Sequence, residues 1–194
     1  RYCYQVFDSG SDFKSVVFSI YRCNQTSLKD SKKTAYRQQK ILQAELGYRG
    51  DPTRYFKADL IREIKKLQSK YGPNLRPYIL GDFNDCKNIQ KVIDDICHEF
   101  KLVNIYDYLN PDSQDFKTYR RGRKRIDRGL IPEITAKKMK EHAERNSTTP
   151  TVYYESFFHR FCGDHRALVI DIPKSIMMSF GWVLATSSGT WLAA

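Results

Sequence analysis

The sequence predicts an α/β fold, because segments with the pattern of strands alternate with segments with the pattern of helices. The clearest strand is the apolar run Tyr78–Leu80, which ends at Gly81. Amphipathic helix patterns precede and follow this run, with apolar residues recurring every three or four positions. The length of 194 residues fits one domain with a sizeable core. No internal repeat interrupts this organisation.

The other elements follow from local signals. Two β-branched and aromatic segments flank a cluster of turn residues near the start of the chain, which predicts a hairpin. Glycines, prolines and an Asp–Pro pair mark the helix ends. In chain order, we predict a hairpin over Arg1–Phe7 and Val16–Tyr21, a helix over Tyr36–Leu46, a helix between Asp51 and Gly72, the Tyr78–Leu80 strand, a helix over Ile89–Phe100, a buried run at Leu102–Ile105, two short strands around a basic glycine turn in Phe116–Asp127, a helix over Pro132–Arg145, and strands at Val152–Phe158 and Ala167–Ile172.

The charge balance predicts a polyanionic partner. The formal net charge is +11 and the sequence pI is about 9.4. Nucleic acid is the commonest polyanion that basic domains bind, so we expect DNA. A basic surface without such a partner is the alternative. We expect no membrane partner, because no basic amphipathic helix stands beside an anchor.

Cysteine usage and the tail bear on location and domain organisation. The five cysteines include no C-x-x-C pair, which predicts reduced thiols in an intracellular protein of the nucleus or cytoplasm. The uncharged tail Ile176–Ala194 is long enough to tempt a membrane-span assignment, but polar residues at Thr186–Thr190 favour a hairpin. We therefore predict a domain over residues 1–174 and a separate tail over 175–194. The start at Arg1, within strand-like sequence, suggests a piece of a longer protein.

The first candidate motif directly follows the central strand. Asp82 and Asn84 are two residues apart, and in an extended segment such residues point the same way. The ends of strands are where open α/β sheets bind ligands. An acid that takes a proton or holds a cation, beside an amide that donates to an anionic oxygen, suits phosphodiester hydrolysis. A turn rich in Asp and Asn is the alternative interpretation.

Two further motifs lie later in the chain. Asp164 and His165 precede the last buried strand, and histidine is the side chain that changes charge near neutral pH. Asp127 follows Ile126 in an Arg-Ile-Asp sequence, and an acid in apolar surroundings needs a partner such as a histidine or a backbone donor. A capping loop and a salt-bridged surface strand are the respective alternatives.

The order of these motifs resembles that of the endonuclease/exonuclease/phosphatase superfamily. A strand that ends in an aromatic residue comes first. It is followed by a Gly-Asp-x-Asn motif, then by Arg-Ile-Asp, and then by Asp-His before a final strand. More narrowly, the chain resembles the endonuclease domains of non-LTR retroelements over Arg1–Ile172. This resemblance implies a partial deoxyribonuclease I-like α/β sandwich, with mixed sheets flanked by helices. The first strands of that fold would be missing, which would expose a sheet edge.

The resemblance also implies a role for each motif residue. Asp82 is expected to orient or deprotonate the attacking water, and Asn84 to donate to the scissile phosphate. His165 is expected to face the phosphate oxygens, with Asp127 as its orienting acid. The remaining implied site residues are Tyr21 on the phosphate side, Asp164 with Asp82 at the metal site, and Thr118 as a weaker match.

The implied metal is Mg²⁺, with Mn²⁺ as a substitute and no small-molecule cofactor. Two features depart from the family pattern. The family's early Asn strand and metal-binding Glu cannot be placed, which predicts weak or absent nuclease activity in this chain. In addition, Arg128–Gly129 stands where an aromatic residue usually follows the acid of the Arg-Ile-Asp motif.

A basic segment lies beside the proposed site. Its cations are expected to contact phosphates with little sequence preference, and a solvated basic turn is the alternative. The candidate phosphate contacts are Arg121, Arg123, Lys124 and Arg125.

The sequence thus predicts a Mg²⁺-dependent DNA endonuclease domain from a retrotransposon-like protein. A non-catalytic nucleic-acid-binding remnant is one alternative. A phosphatase or phospholipid diesterase of the same superfamily is another, which the basic charge disfavours. The tail also resembles the first hairpin of a ribonuclease H domain, but no catalytic acid accompanies it and we assign it no function.

Overall fold

The structure is a computed structural model, and it describes residues 2–8, 14–23, 34–50, 52–84, 89–155, 164–173, 176 and 190–193. The predicted α/β class is confirmed. A mixed sheet of five strands and a second sheet of three strands are accompanied by helices. The elements are β1 Tyr2–Asp8, β2 Lys14–Tyr21, α1 Ala35–Glu45, α2 Pro52–Tyr71, β3 Arg76–Asp82, α3 Ile89–Phe100, β4 Leu102–Asn104, α4 Ile105–Leu109, β5 Asp127–Pro132, α5 Glu133–Arg145, β6 Val152–Tyr154, β7 Leu168–Asp171 and β8 Thr190–Ala193.

The five-stranded sheet has the order β1-β2-β3-β5-β4. The predicted hairpin is confirmed, because β1 pairs antiparallel with β2. Strand β2 pairs parallel with β3, and helices α1 and α2 lie in the connection between them. Parallel neighbours require such a crossover. Strands β3 and β4 both pair antiparallel with β5, which makes the sheet mixed.

One face of this sheet is covered by α2 and α3. The apolar stripe of α2, including Leu60 and Ile64, packs with Ile93 and Ile96 of α3 against the alternate strand residues that point to this face. These strand residues are fully or almost fully buried; they are Val16, Phe18, Ile20, Ile79 and Leu130. The residues between them point to the opposite face, as the two-residue period of a strand requires.

The opposite face packs against the three-stranded sheet β6-β7-β8. Leu80 and Ile131 of the large sheet share a core with Leu168 and Ile170 of β7. The close approach depends on Gly129, because a Cβ there would lie 2.9 Å from Leu168 Cδ2 and 3.0 Å from Ile170 Cδ1. A glycine where the resemblance expected an aromatic residue therefore has a packing function in this chain.

The helix boundaries follow the predicted signals closely. Thr34 precedes α1, and its side chain accepts a hydrogen bond from the Arg37 amide at 3.4 Å. Gly72 follows α2 with φ of +105°, a backbone conformation that favours glycine. The remaining long helices, α3 and α5, lie within one residue of their predicted limits.

One element was not predicted, and one local prediction is wrong. Helix α4 was not anticipated between the buried run and the following turn. The predicted pair of strands around the basic turn is also absent from the described segment: only β5 forms, from Asp127, and the preceding stretch makes a single bridge between Tyr119 and His165. The reason is local, because the amides of Ile126 and Asp127 donate to the Thr118 hydroxyl at 2.9 and 3.1 Å instead of to a strand.

The tail is described only in part. Thr190–Ala193 forms β8 and pairs antiparallel with β7. Its predicted hairpin partner, Phe180–Ala185, lies outside the described residues, so the domain boundary and the hairpin stay predictions. None of the described helices combines the length and the hydropathy that a membrane crossing requires. Cys3, Cys23 and Cys97 are present as thiols, whereas Cys86 and Cys162 lie outside the described residues.

Candidate active site

Three of the predicted site residues lie in one row across the ends of adjacent strands. Tyr21 of β2 is paired with Asp82 of β3, and Asp82 is paired with Asp127 of β5. Side chains of directly paired residues project from the same face of a sheet. Leu80, two residues from Asp82, belongs to the core shared with the second sheet, and Gly129, two residues from Asp127, lies against side chains of β7. The face that carries the three site residues is therefore the one that packs on the second sheet.

Gly81 makes the close pairing of β2 and β3 possible at this end. Its φ is +138°, and a Cβ at this position would lie 2.1 Å from the carbonyl oxygen of Ile20. No side chain fits against a backbone atom at that distance. The glycine of the Gly-Asp-x-Asn motif is therefore required by the backbone geometry that presents Asp82.

Asn84 supports the Asp82 carboxylate. Its amide N–H donates to Asp82 Oδ1 at 2.7 Å, and its side-chain Nδ2 donates to Asp82 Oδ2 at 3.0 Å and to the carbonyl oxygen of Arg22. Strand β3 ends at Asp82, and Asn84 has φ of +53°, so the two residues meet through a turn and not through the extended geometry that we predicted. Asn84 is only 6% exposed, and its side-chain amide is engaged with Asp82 and with the Arg22 carbonyl oxygen.

His165 is hydrogen-bonded to Asp127. Nδ1 of the imidazole lies 3.1 Å from each carboxylate oxygen. This hydrogen bond raises the pKa of His165 above its ordinary value, despite partial burial, and the charges of Asp127, Asp82 and Asp164 act in the same direction. The imidazole therefore keeps its charged form to higher pH than an ordinary histidine does.

The Asp127 backbone is held from two sides. The hydroxyl of Thr118, a fully buried residue, accepts its amide hydrogen, and the Tyr154 hydroxyl donates to its carbonyl oxygen at 2.6 Å. Tyr119 adds an aromatic contact to the histidine, with ring centroids 4.9 Å apart. Thr118 thus lies beneath the site as a structural support for Asp127, and its own amide and carbonyl groups are engaged by Lys124 and Arg166.

Asp82 is in an electrostatically unfavourable position. Burial, followed by the negative charge of Asp127, raises the pKa of Asp82 to about 6, although the hydrogen bonds from Asn84 oppose this shift. A carboxylate with such a pKa can take a proton near neutral pH. Two carboxylates side by side also attract a cation, which would relieve their repulsion.

The predicted metal-site acid Asp164 is at the surface. Its side chain is 46% exposed, and Oδ2 lies 3.9 Å from Nη2 of Arg121. Across the described ranges of the chain, no three or more His, Cys, Asp or Glu side chains form a group that could enclose a metal. Mg²⁺ commonly takes only one or two carboxylates and keeps several waters, so the oxygen donors of Asp82 and Asp164 suit this ion by type.

The structure separates the four predicted phosphate contacts. Arg123 and Lys124 are exposed, and the Arg121 side chain is 77% exposed beside Asp164. By contrast, Arg125 points inward with only 8% of its side chain exposed and pairs with Asp107. Arg121 is thus placed next to the site, Arg123 and Lys124 on the same turn, and Arg125 in the interior.

Sequence reasoning missed three residues that complete this site. Tyr119 stacks on His165, Tyr154 holds the Asp127 carbonyl, and Asp107 pairs with Arg125. Tyr119 directly follows the Thr118 that was singled out, so its position was a usable signal. For Tyr154 and Asp107 the sequence contained no local signal, because each is far along the chain from its partner.

Together these features define a class: a mixed α/β protein with a His–Asp pair and a second, perturbed carboxylate at one end of its larger sheet. No protein-family model matches the chain, and no curated protein matches it either.

Proposed function

We propose that this chain is a Mg²⁺-dependent phosphodiesterase domain that acts on DNA and has a deoxyribonuclease I-like fold. One observation carries the proposal. Tyr21, Asp82 and Asp127 lie in register across three strand ends, and His165 bonds to Asp127 from outside that sheet. Residues far apart in sequence thereby meet at one rim, as hydrolysis of a phosphodiester requires.

The architecture supports this proposal. Two sheets pack face to face over a shared apolar core, and helices cover the outer face of the larger sheet. The candidate residues lie where that shared core opens at the sheet ends. The retroelement origin of the domain rests on the motif order alone and is part of the proposal.

The side chains suit complementary tasks in hydrolysis. Asp82, with a pKa of about 6 and an orientation set by Asn84, accepts the proton of an attacking water. His165 in its charged form donates from Nε2 to a phosphoryl oxygen, because its Nδ1 is engaged by Asp127. The exposed phenol of Tyr21, which is 43% accessible, lies where it can contact the same phosphate.

The metal would be held by Asp82 and Asp164. When bound, Mg²⁺ supplies positive charge that stabilises the developing charge on the phosphoryl oxygens. The protein's own contribution is to place Asp82 at the strand ends and to raise the pKa of His165 through Asp127.

DNA is the substrate that the charge distribution favours. The chain has a net charge of +11, and the exposed cations Arg121, Arg123 and Lys124 begin three residues after Thr118, on the turn beside the site. Such cations add affinity for a phosphate backbone without selecting a sequence.

A non-catalytic DNA-binding remnant is the second candidate. It is favoured by the small number of acidic ligands gathered in the described part of the site. In that case the basic turn would bind DNA, and the rim would not hydrolyse it.

The test is nicking of supercoiled plasmid at high protein concentration and long incubation, with Mg²⁺ or with EDTA. We expect slow nicking in Mg²⁺ that EDTA abolishes and that Asp82→Asn and His165→Gln each reduce. Asp112→Asn, at an exposed turn, is the matched control and should nick like the unmodified protein. Binding without nicking supports the non-catalytic remnant. If the protein shows no binding and no nicking, both candidate functions are overturned.

A further inference from the structure

Arg125 is a buried cation two residues before Asp127, and the structure encloses it. Its guanidinium lies 5.0 Å from the ring centroid of Tyr106 and 5.4 Å from that of Phe116. Asp107 forms an ion pair with it. Tyr106, Phe116 and Tyr154 also contact one another, with centroid separations of 5.1 to 5.3 Å. We refer to these three rings as the aromatic cage.

The cage contacts the candidate site at two points. The Tyr154 hydroxyl donates to the backbone carbonyl of Asp127 at 2.6 Å. On the other side, the guanidinium of Arg166 lies 5.5 Å from the Phe116 ring, and Arg166 directly follows His165. The cage is therefore joined both to the acid and to the histidine of the His–Asp pair.

Asp107 ties together the chain on both sides of Asp127. One of its oxygens pairs with Arg125, and the other lies 3.7 Å from Nη1 of Arg128. The segment that carries Asp127 is thus anchored at both ends to one carboxylate of α4. A rigid segment favours a fixed direction of the Asp127 side chain toward His165.

We propose that Arg125 is a positioning residue for Asp127 and not a contact to nucleic-acid phosphate. Its planar guanidinium both stacks on aromatic rings and bonds to a carboxylate, two tasks that an ammonium group performs less well. Its burial keeps phosphate away, whereas Arg123 on the same turn is exposed. The inference deepens the proposed function and rests on it.

The first test separates positioning from phosphate contact. Arg125→Gln and Asp107→Asn should each lower kcat about tenfold or more, because small displacements of catalytic groups cost large factors in rate. Neither variant should change KM or the slope of log affinity for duplex DNA against log salt. Arg123→Gln should instead raise KM and reduce that slope by about one.

The double variant adds a second criterion. If Arg125 and Asp107 act as one unit, combining the two changes should lower kcat no further than either change alone. Asp107→Asn leaves every cation in place, so it tests the positioning role even if Arg125→Gln does not fold. A normal kcat in Asp107→Asn, or a salt slope reduced by one in Arg125→Gln, overturns the inference.

A measurement without substrate keeps this inference distinct from the proposed function. Amide hydrogen exchange of Ile126 and Asp127 should accelerate in Arg125→Gln and in Asp107→Asn. Ile64→Val, in the core on the helix-covered face, lowers stability without touching the cage, so it should leave kcat unchanged and accelerate these two amides no more than other protected amides of the sheet. Unchanged exchange in the cage variants overturns the positioning role. If the unmodified protein neither binds nor cuts DNA, the proposed function fails while these exchange rates still decide the role of Arg125.

Discussion

The two faces of the five-stranded sheet differ at the end where the candidate site lies. On the helix-covered face, apolar side chains continue to the strand end, where Ile20 is 4% exposed and Phe83 is fully buried. On the face that packs against the second sheet, the apolar residues stop at Leu80, and Tyr21, Asp82 and Asp127 follow. Alternate residues of the same strands therefore serve stability on one face and chemistry at the rim of the other.

The comparison shows where unfavourable electrostatics is tolerated. Asp82 is partly desolvated beside another acid, and both effects raise its pKa because they disfavour the charged carboxylate. The core on the helix-covered face contains no such group among its described members. This difference between the two faces predicts that changes at the rim remove activity and spare stability. Changes in the core on the helix-covered face should lower stability and spare activity.

The largest effect is expected for Asp82→Asn. Loss of the proton acceptor should lower the nicking rate on the order of a thousandfold, within the range for general-base and electrostatic catalysis. In EDTA at pH 7 the same variant should unfold at a higher temperature than the unmodified protein, because a desolvated charge is removed. Plasmid nicking and thermal unfolding measure the two outcomes. A variant with lowered stability and full activity would reverse the proposed division.

The opposite pattern is expected for Leu60→Ala on the helix-covered face. Leu60 is fully buried, so the cavity should lower the free energy of unfolding by about 3 kcal/mol. The nicking rate of the folded fraction should not change. Leu42→Ala is the matched control, because Leu42 is 53% exposed on α1 and should lose less than about 0.5 kcal/mol. Urea unfolding provides the measurement, and equal losses in both variants would contradict the packing described.

The pH dependence of stability should report Asp82 in the absence of metal. Its folded pKa of about 6 exceeds the ordinary aspartate value of 3.8, so the folded state binds this proton more tightly than the unfolded state does. Stability should therefore fall by about 2 kcal/mol as the pH rises from about 4 to about 6. Asp82→Asn should lack this fall. Urea midpoints in EDTA test this prediction, and parallel profiles for the two proteins would contradict it.

His165 acts in the same direction at higher pH. Its folded pKa is raised above the ordinary histidine value of 6.5, so its contribution to stability is complete below that value and is lost as the pH rises through the folded pKa. Removing the partner with Asp127→Asn should lower the imidazole pKa. NMR titration of the His165 ring protons measures it, and an unchanged titration would mean that the hydrogen bond contributes nothing in solution.

The smallest effect is expected from the exposed cations of the basic turn. Arg121→Gln and Arg123→Gln should each weaken duplex DNA binding a few-fold and reduce the salt slope by about one. Lys66→Gln, whose side chain is 74% exposed on α2, is a control at a distance from the rim. Fluorescence anisotropy at several salt concentrations measures the slopes. Equal losses at all three positions would indicate a diffuse basic surface without a dedicated turn.

Short-range patterns predicted most of the elements. The hairpin, the four longer helices and the central strand were predicted because alternation, amphipathic periodicity and capping residues are encoded within a few neighbouring positions. Helix α4 was missed because its five residues contain too little periodicity to be seen. The strands predicted around the basic turn were wrong because the Thr118 side chain takes the amide hydrogens of residues 126 and 127.

The candidate site was predicted in its residues and in part of its geometry. The resemblance implied Asp127 as the orienting acid of His165, and in the structure the two side chains, 38 positions apart in the chain, are hydrogen-bonded. It did not indicate that Asn84 would turn into a left-handed conformation and hold Asp82. That geometry includes a hydrogen bond from the Asn84 side chain to the carbonyl oxygen of Arg22, the residue that follows β2.

By itself, the sequence determined the alternation of strands and helices, the glycine before Asp82 and the presence of a basic turn. Only the tertiary structure decided which cations of that turn are available to a ligand. Arg123 and Arg125 are near neighbours with the same side chain, yet one is exposed and the other is buried. The physical reason is that Arg125 is received by a carboxylate and by aromatic rings, and Asp107 and Tyr106 come from α4, an element that local pattern did not predict.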